Sequence, residues 1–317
     1  MTEPLMQRLQ ARGERLTVGA LPWVAPVYRA MPQVAEVIDF PFQHGGLQWQ
    51  GRRAMAAQLK GRFDTAYVLP NSLKSALIPF LAGIPRRVGY AGESRILLLN
   101  QRLPNPPKGQ RPPMVAFYSA LSGETGLEQD RPELRIAPAA LEQALAELGL
   151  QRGGYAVFAP GAEFGPAKRW PAGHFAALAR QLDVPVVLLG SGKEHALCEE
   201  IAGPVTAQRP GWALNFAGKT SLSQALSVIA ATKYVVSNDS GLMHVAAALG
   251  VAQAAIFGSS SPLHTPPLNP RARVLWLKND LHYQPPLDCA PCFERECPLG
   301  HTRCLVDIAP QAVLRLL

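Results

Sequence analysis

No stretch of the chain approaches the roughly 20 uninterrupted apolar residues that a membrane-spanning helix needs. The opening MTEPLMQRLQARGE is charged where a secretory leader would be apolar, so a cytoplasmic protein is expected. Cysteines number only 5, and in a reducing compartment disulfides are not expected among them. Aromatic side chains make up 7% of the residues, and the basic ones are scattered apart from pairs such as Arg52-Arg53 and Arg86-Arg87. Nothing here supports a stacking platform for nucleic acid.

What is present is a chain of 317 residues, 48% of them hydrophobic, long enough for two domains that each bury a core. Its 31 basic and 23 acidic side chains leave a net charge of +8. That excess suits an anionic partner, such as a nucleotide, a phosphorylated glycan or an acidic membrane face, and equally a solvated basic surface. The 30 prolines exclude a long coiled coil and imply many short elements joined by turns.

The second half alternates strand and helix signals. Apolar runs at Tyr155 to Ala159, Val184 to Leu189, Leu214 to Ala217, Tyr234 to Ser237 and Ala254 to Phe257 predict buried strands. Helical spacing joins Phe175, Leu178, Ala179 and Leu182, and again Leu222, Ala225, Leu226 and Ile229 behind a Ser221 cap. Further helices are expected from Lys193 to Ala202 and from Leu242 to Leu249. The first half repeats the theme, with strands at Leu16 to Ala20, Val34 to Phe40, Asp64 to Leu69 and Arg87 to Tyr90. Ala137 to Leu150 reads as a helix ending at Gly153-Gly154. The expected architecture is α/β, with two Rossmann-like, doubly wound parallel-sheet domains (residues 1–152 and 153–317) and ligand at the carboxyl ends of their strands in a cleft between them. The chain opens on a helix capped by Thr2, where such a domain normally opens on a strand. That start reads as a truncated domain or as a helical extension.

Three loops in the second half carry candidate chemistry. In YVVSNDSGLMHVAAALG a buried strand runs into Asn238-Asp239-Ser240-Gly241, which opens a helix. The free N–H groups of such a turn suit a diphosphate, while Asp239 and Ser240 are equally ordinary caps, and His244 on the first turn fits either a phosphate donor or a packed histidine. In APGAEFGPAKRWPAGHF, Lys168 and Arg169 can neutralise a departing phosphate or form a solvated pair. In LLGSGKEH, Glu194 follows two glycines, where it can take a ribose diol or serve only the helix dipole. Gly218-Lys219-Thr220 imitates a P-loop, but Ala213 stands where its upstream glycine belongs. Near the end, Cys289, Cys292, Cys297 and Cys304, with His301, have the density of a zinc or iron site, or are plain buried thiols.

Taken in order, PGAEFGPAKRWP, GSGKE, FAGKTSL, SNDSGLMHVAAALG and CFERECPLGHTRCL resemble the ADP-heptose:lipopolysaccharide heptosyltransferase II family over nearly the whole chain. The resemblance implies a two-domain GT-B fold and an inverting glycosyltransferase. Such an enzyme moves L-glycero-D-manno-heptose from ADP-heptose to the first heptose of the lipopolysaccharide inner core (heptosyl-Kdo2-lipid A) at the cytosolic face of the inner membrane. It implies the ADP diphosphate at Ser240, Gly241, Leu242 and His244, the phosphates and sugar at Lys168, the ribose at Glu194, the donor sugar or nucleotide at Asp239, and the base near Thr220. No cofactor is implied for transfer. Lys168 and Asp239 should therefore matter to donor use far more than Arg52 does. Family members begin with a strand and a Gly-Asp loop whose Asp deprotonates the acceptor. TEPLMQRLQ resembles the segment just after that loop, so the numbering is expected to start at an internal methionine, and the chain as written lacks that base. A same-family enzyme with another acceptor, and an inactive ADP-sugar-binding protein, are the competing readings.

Overall fold

The computed structural model describes all residues except 44 and 127–129. The chain divides into two compact units, Met1–Asp130 and Arg131–Leu317. The division falls before the expected 152/153 boundary. The reason is that the segment leading into the second unit is bound to it: the Leu134 N–H donates to the Ala248 carbonyl, and Gln224 reaches Glu147 on the helix between them.

In the first unit, α1 (Glu3–Ala11) buries Leu5, Met6 and Leu9, with Pro4 in its first turn; Thr2 makes no side-chain cap. Strand β1 (Leu16–Ala20) pairs in parallel with β2 (Val34–Asp39) across the short α2 (Ala25–Arg29). After α3 (Trp49–Leu59) come β3 (Thr65–Val68), α4 (Leu73–Leu81), β4 (Arg86–Tyr90), β5 (Gln101–Leu103) and α5 (Met114–Ser119). Strands β3, β4 and β5 form a second parallel sheet, apart from β1 and β2. Helices α3 and α4 pack together. Arg52 lies buried in their junction, donating to the carbonyls of Leu47 and Lys74 with its guanidinium over Phe42. It is thus a structural residue, unlike exposed Arg53, and the Arg52-Arg53 pair is not a patch.

The second unit runs α6 (Pro138–Leu148), β6 (Ala156–Ala159), α7 (Ala172–Ala179), β7 (Val186–Leu188), α8 (His195–Thr206), β8 (Ala213–Asn215), α9 (Leu222–Ala230), β9 (Val235–Asn238), α10 (Gly241–Ala248), β10 (Gln253–Ile256), β11 (Ala272–Leu275), α11 (Arg303–Val306) and α12 (Pro310–Leu314). Its six strands form one parallel sheet in the order β11-β10-β9-β6-β7-β8. Every residue of β6, β7, β9 and β10 is buried, as expected of strands covered by helices on both faces. Phe158, Trp170, Phe175, Leu178, Leu188 and Ile201 belong to one core. Ser221 caps α9 as its sequence predicts, accepting from the Gln224 N–H at 3.2 Å.

The strand order fixes where a ligand belongs. From β6 the chain winds outward through β7 and β8, then returns and winds the other way through β9, β10 and β11. The direction therefore reverses between β6 and β9, and at such a switch point the loops leaving two adjacent strands diverge and open a crevice.

Candidate active site

The loops leaving β6 and β9 meet at that switch point. Asn238, the last residue of β9, is fully buried and pins both ends of the β6 loop: its Nδ2 donates to the Pro160 carbonyl at 2.6 Å and its Oδ1 accepts from the Trp170 N–H at 3.0 Å. Trp170 is anchored in turn through its indole N–H to the Ile308 carbonyl. Between these pins, the Ala167 N–H donates to the Arg295 carbonyl, and Gly165 lies so close to that same carbonyl that a Cβ would collide with it. Lys168 therefore leaves a loop fixed at its ends and along one side.

Lys168 Nζ lies 2.6 Å from Asp239 Oδ2, and the Asp239 side chain is 6% exposed. The other oxygen, Oδ1, accepts from the Thr265 hydroxyl at 3.3 Å. Asp239 thus does not cap the helix after it. Neither does Ser240: it occupies the N-cap position of α10 with extended backbone angles, but makes no side-chain cap bond, and its Oγ is buried without a partner. Of the two readings open from sequence, the geometry leaves the helix start uncapped by any side chain, so its first N–H groups and positive dipole end face the Lys168–Asp239 pair. Gly241 is exposed, and Leu242 and His244 are half-buried on the same turn. His244 Nε2 is buried without a partner, and burial pushes the imidazole down to about 4, so it is neutral near pH 7.

Glu194 stands one loop away. Its Oε2 accepts from the Ser191 N–H at 2.7 Å and from the Ser191 hydroxyl at 3.1 Å, closing the first turn before α8. Its carboxylate also fills the space above Gly161, where any Cβ would fall inside it. The turn holding Thr220 packs on the same loop, with the Gly218 N–H donating to the Gly190 carbonyl at 3.0 Å and no room at Gly218 for a Cβ against Gly192. All eight candidate residues therefore lie on the carboxyl edge of one sheet. Only Lys168 and Asp239 bond each other directly. Sequence reading missed Asn238 and Thr265. Asn238 has a signal, a buried amide ending an apolar strand, whereas Thr265 in HTPP has none.

Cys289, Cys292, Cys297 and Cys304 line one cavity of about 20 Å³ with His301, Ser259 and Ala167. Burial raises the Cys304 thiol to about 11. Burial acts the same way on Cys297, but the backbone groups of Thr302, Leu299, His301 and Gly300 outweigh it and hold that thiol below its ordinary range. Among the described residues, no three His, Cys, Asp or Glu side chains are gathered so as to hold a metal ion. No helix among them is long and apolar enough to cross a membrane.

With this geometry in view, the sequence pattern of glycosyltransferase family 9 (heptosyltransferase) matches residues 52–303. Lipopolysaccharide heptosyltransferase 2 of Escherichia coli (strain K12) is 42% identical over 332 aligned positions, spanning 99% of this chain and 92% of its own. Lipooligosaccharide heptosyltransferase 2 of Haemophilus influenzae is 36% identical, spanning 100% of this chain and 94% of its own. The solved structure of E. coli ADP-heptose lps heptosyltransferase II superposes with a TM-score of 0.83 at 39% identity, over 99% of this chain and 92% of that one.

Proposed function

The chain belongs to glycosyltransferase family 9, the heptosyltransferases, with the GT-B fold; from that premise we propose that it moves L-glycero-D-manno-heptose from ADP-heptose to the first heptose of the lipopolysaccharide inner core. One observation carries the assignment of the site: the Lys168–Asp239 pair stands at the sheet's switch point before a helix start that no side chain caps. In an inverting transfer the acceptor hydroxyl attacks the anomeric carbon, the carbon–oxygen bond to the diphosphate breaks, and the acceptor's proton passes to a base. Negative charge grows on the leaving ADP. Lys168 and the free N–H groups of Gly241 and Leu242 stabilise it there, so the departure of ADP needs no bound cofactor. Ser240 adds a hydroxyl, neutral His244 donates a hydrogen bond to a phosphate oxygen, Glu194 Oε1 accepts from the ribose, and Asp239 accepts from the donor sugar. Thr220 flanks the base.

The first unit supplies the surface for the acceptor. The loops after β2, β3 and β4, with the first residues of α3 and α4, expose Leu47, Trp49, Leu73, Ile96 and Leu97. They are tied to one another by Lys74 on the Gly45 carbonyl and by Arg95 on the Pro70 carbonyl. This unit also carries 15 basic side chains against 9 acidic, most of the chain's positive excess. Exposed apolar side chains on a unit of net positive charge fit peripheral contact with the cytosolic face of the inner membrane, where a lipid-linked acceptor resides. The four cysteines have the donor chemistry of a structural zinc or iron site, and metal analysis of protein purified without chelator tests it. Stoichiometric metal would support such a site, and less than a tenth of an equivalent leaves plain thiols.

ADP release from ADP-heptose with heptosyl-Kdo2-lipid A tests the function. Release with that acceptor supports the proposal. Release only with another acceptor would move the chain elsewhere in the family, and ADP binding without release would leave an ADP-sugar-binding protein.

A further inference from the structure

The Lys168–Asp239 bond poses a problem for the proposed site. When Lys168 turns part of its three N–H donors toward a diphosphate, it loosens its hold on a carboxylate whose side chain is 6% exposed. A buried carboxylate that loses its cation is disfavoured, so nucleotide binding is favoured when another group then holds Asp239. The geometry points to Thr265 as that group: a positioning residue that keeps Asp239 in place while Lys168 passes from its carboxylate to the nucleotide diphosphate. This rests on the nucleotide reading of the site.

Three observations carry it. Thr265 is already on the opposite oxygen of the carboxylate from Lys168, at 3.3 Å from Oδ1 against 2.6 Å for Lys168 at Oδ2, so one partner can leave without disturbing the other. The Thr265 hydroxyl has a second acceptor within reach, the Ser261 carbonyl at 3.5 Å. A hydroxyl has one proton to give, so it can commit to Ser261 while Lys168 neutralises Asp239 and to Asp239 once Lys168 has left. Finally, the hydroxyl's position does not depend on Asp239. The N–H groups of His264 and Thr265 both donate to the Ser261 carbonyl, at 3.1 and 3.2 Å, and the Leu263 N–H donates to the Ser261 hydroxyl, so the turn is held by its own backbone.

The test is ADP affinity, measured by calorimetry on the full chain, which needs neither acceptor nor base. Thr265→Val keeps the backbone bonds and removes only the hydroxyl. It should weaken ADP binding about tenfold, the size of one lost hydrogen bond to a charged group. Thr265→Ser should restore binding to within about twofold of the wild type. In an Asp239→Asn background the charge is gone, so Thr265→Val should have almost no further effect. A merely structural role for Thr265 would give the same loss in both backgrounds. Wild-type binding by Thr265→Val, or an equal loss with and without the Asp239 charge, overturns the hand-off while leaving the nucleotide site standing. Failure of the wild type to bind ADP overturns both.

Discussion

The two units use the same strand–helix alphabet to different ends. The second is one six-stranded sheet whose central strands are buried along their whole length, and every candidate nucleotide residue hangs from its carboxyl edge. The first has two small sheets, and β2 is half-exposed along its length. It carries basic charge and exposed apolar side chains on the loops after its strands. The contrast teaches where precision is needed. A leaving diphosphate must be met by groups fixed to within fractions of an ångström, which a rigid buried sheet can provide, whereas the surface proposed for the acceptor has no such frame.

Stability should show the contrast most strongly. Phe158→Ala in β6 empties a fully buried position and should cost about 3–5 kcal/mol, while Val37→Ala on half-buried β2 should cost about 1 kcal/mol or less; denaturant titration of both variants measures the gap. Equal costs would mean that the first unit is packed as tightly as the second. Next comes catalysis: Lys168→Ala should lower kcat by about 10²–10³, whereas Arg53→Ala, exposed on α3, should stay within about twofold. Arg52→Ala is no control here, because it leaves the Leu47 and Lys74 carbonyls without their donor. Replacing Trp49 and Leu97 together by serine should weaken sedimentation with anionic vesicles several-fold while leaving Tm and ADP affinity unchanged. A matching loss of ADP affinity would erase the division of labour.

The smallest effect is one of pH. Burial lowers the pKa of both His174 and His244 in the second unit, so the unfolded chain takes up protons before the folded one does. Their contribution to stability is therefore complete above the ordinary histidine value of about 6.5 and is lost as pH falls below it. Tm should drop between pH 7 and pH 5, and His174→Gln should flatten that drop. An unchanged slope would place the acid sensitivity elsewhere.

Where the strands are covered on both faces, their sequence is a continuous apolar run, and Tyr155 to Ala159 and Tyr234 to Ser237 fall within a residue of β6 and β9. Strand β5 was illegible because Gln101–Leu103 is short, polar and exposed, and β11 because Ala272–Leu275 lies at the sheet edge with its central residues exposed. Arg52 misleads for another reason: charge type suggests solvent, yet a guanidinium can satisfy itself on two carbonyls and a ring. At the site, residue types and spacing singled out Lys168 and Asp239 in two separate loops. Only the fold could show that they touch, that Ser240 leaves the helix uncapped, and that Thr265 reaches Asp239.

Gly161 and Glu194 are separated along the chain, yet the missing side chain of one is the seat of the other's carboxylate. They form a single locus written in two places. Any side chain at 161 must push that carboxylate off the Ser191 N–H and hydroxyl. A library that randomises both positions should be richer in larger residues at 161 where residue 194 is shortened. The glycine is thus the imprint of a carboxylate, and a change at one position is felt at the other.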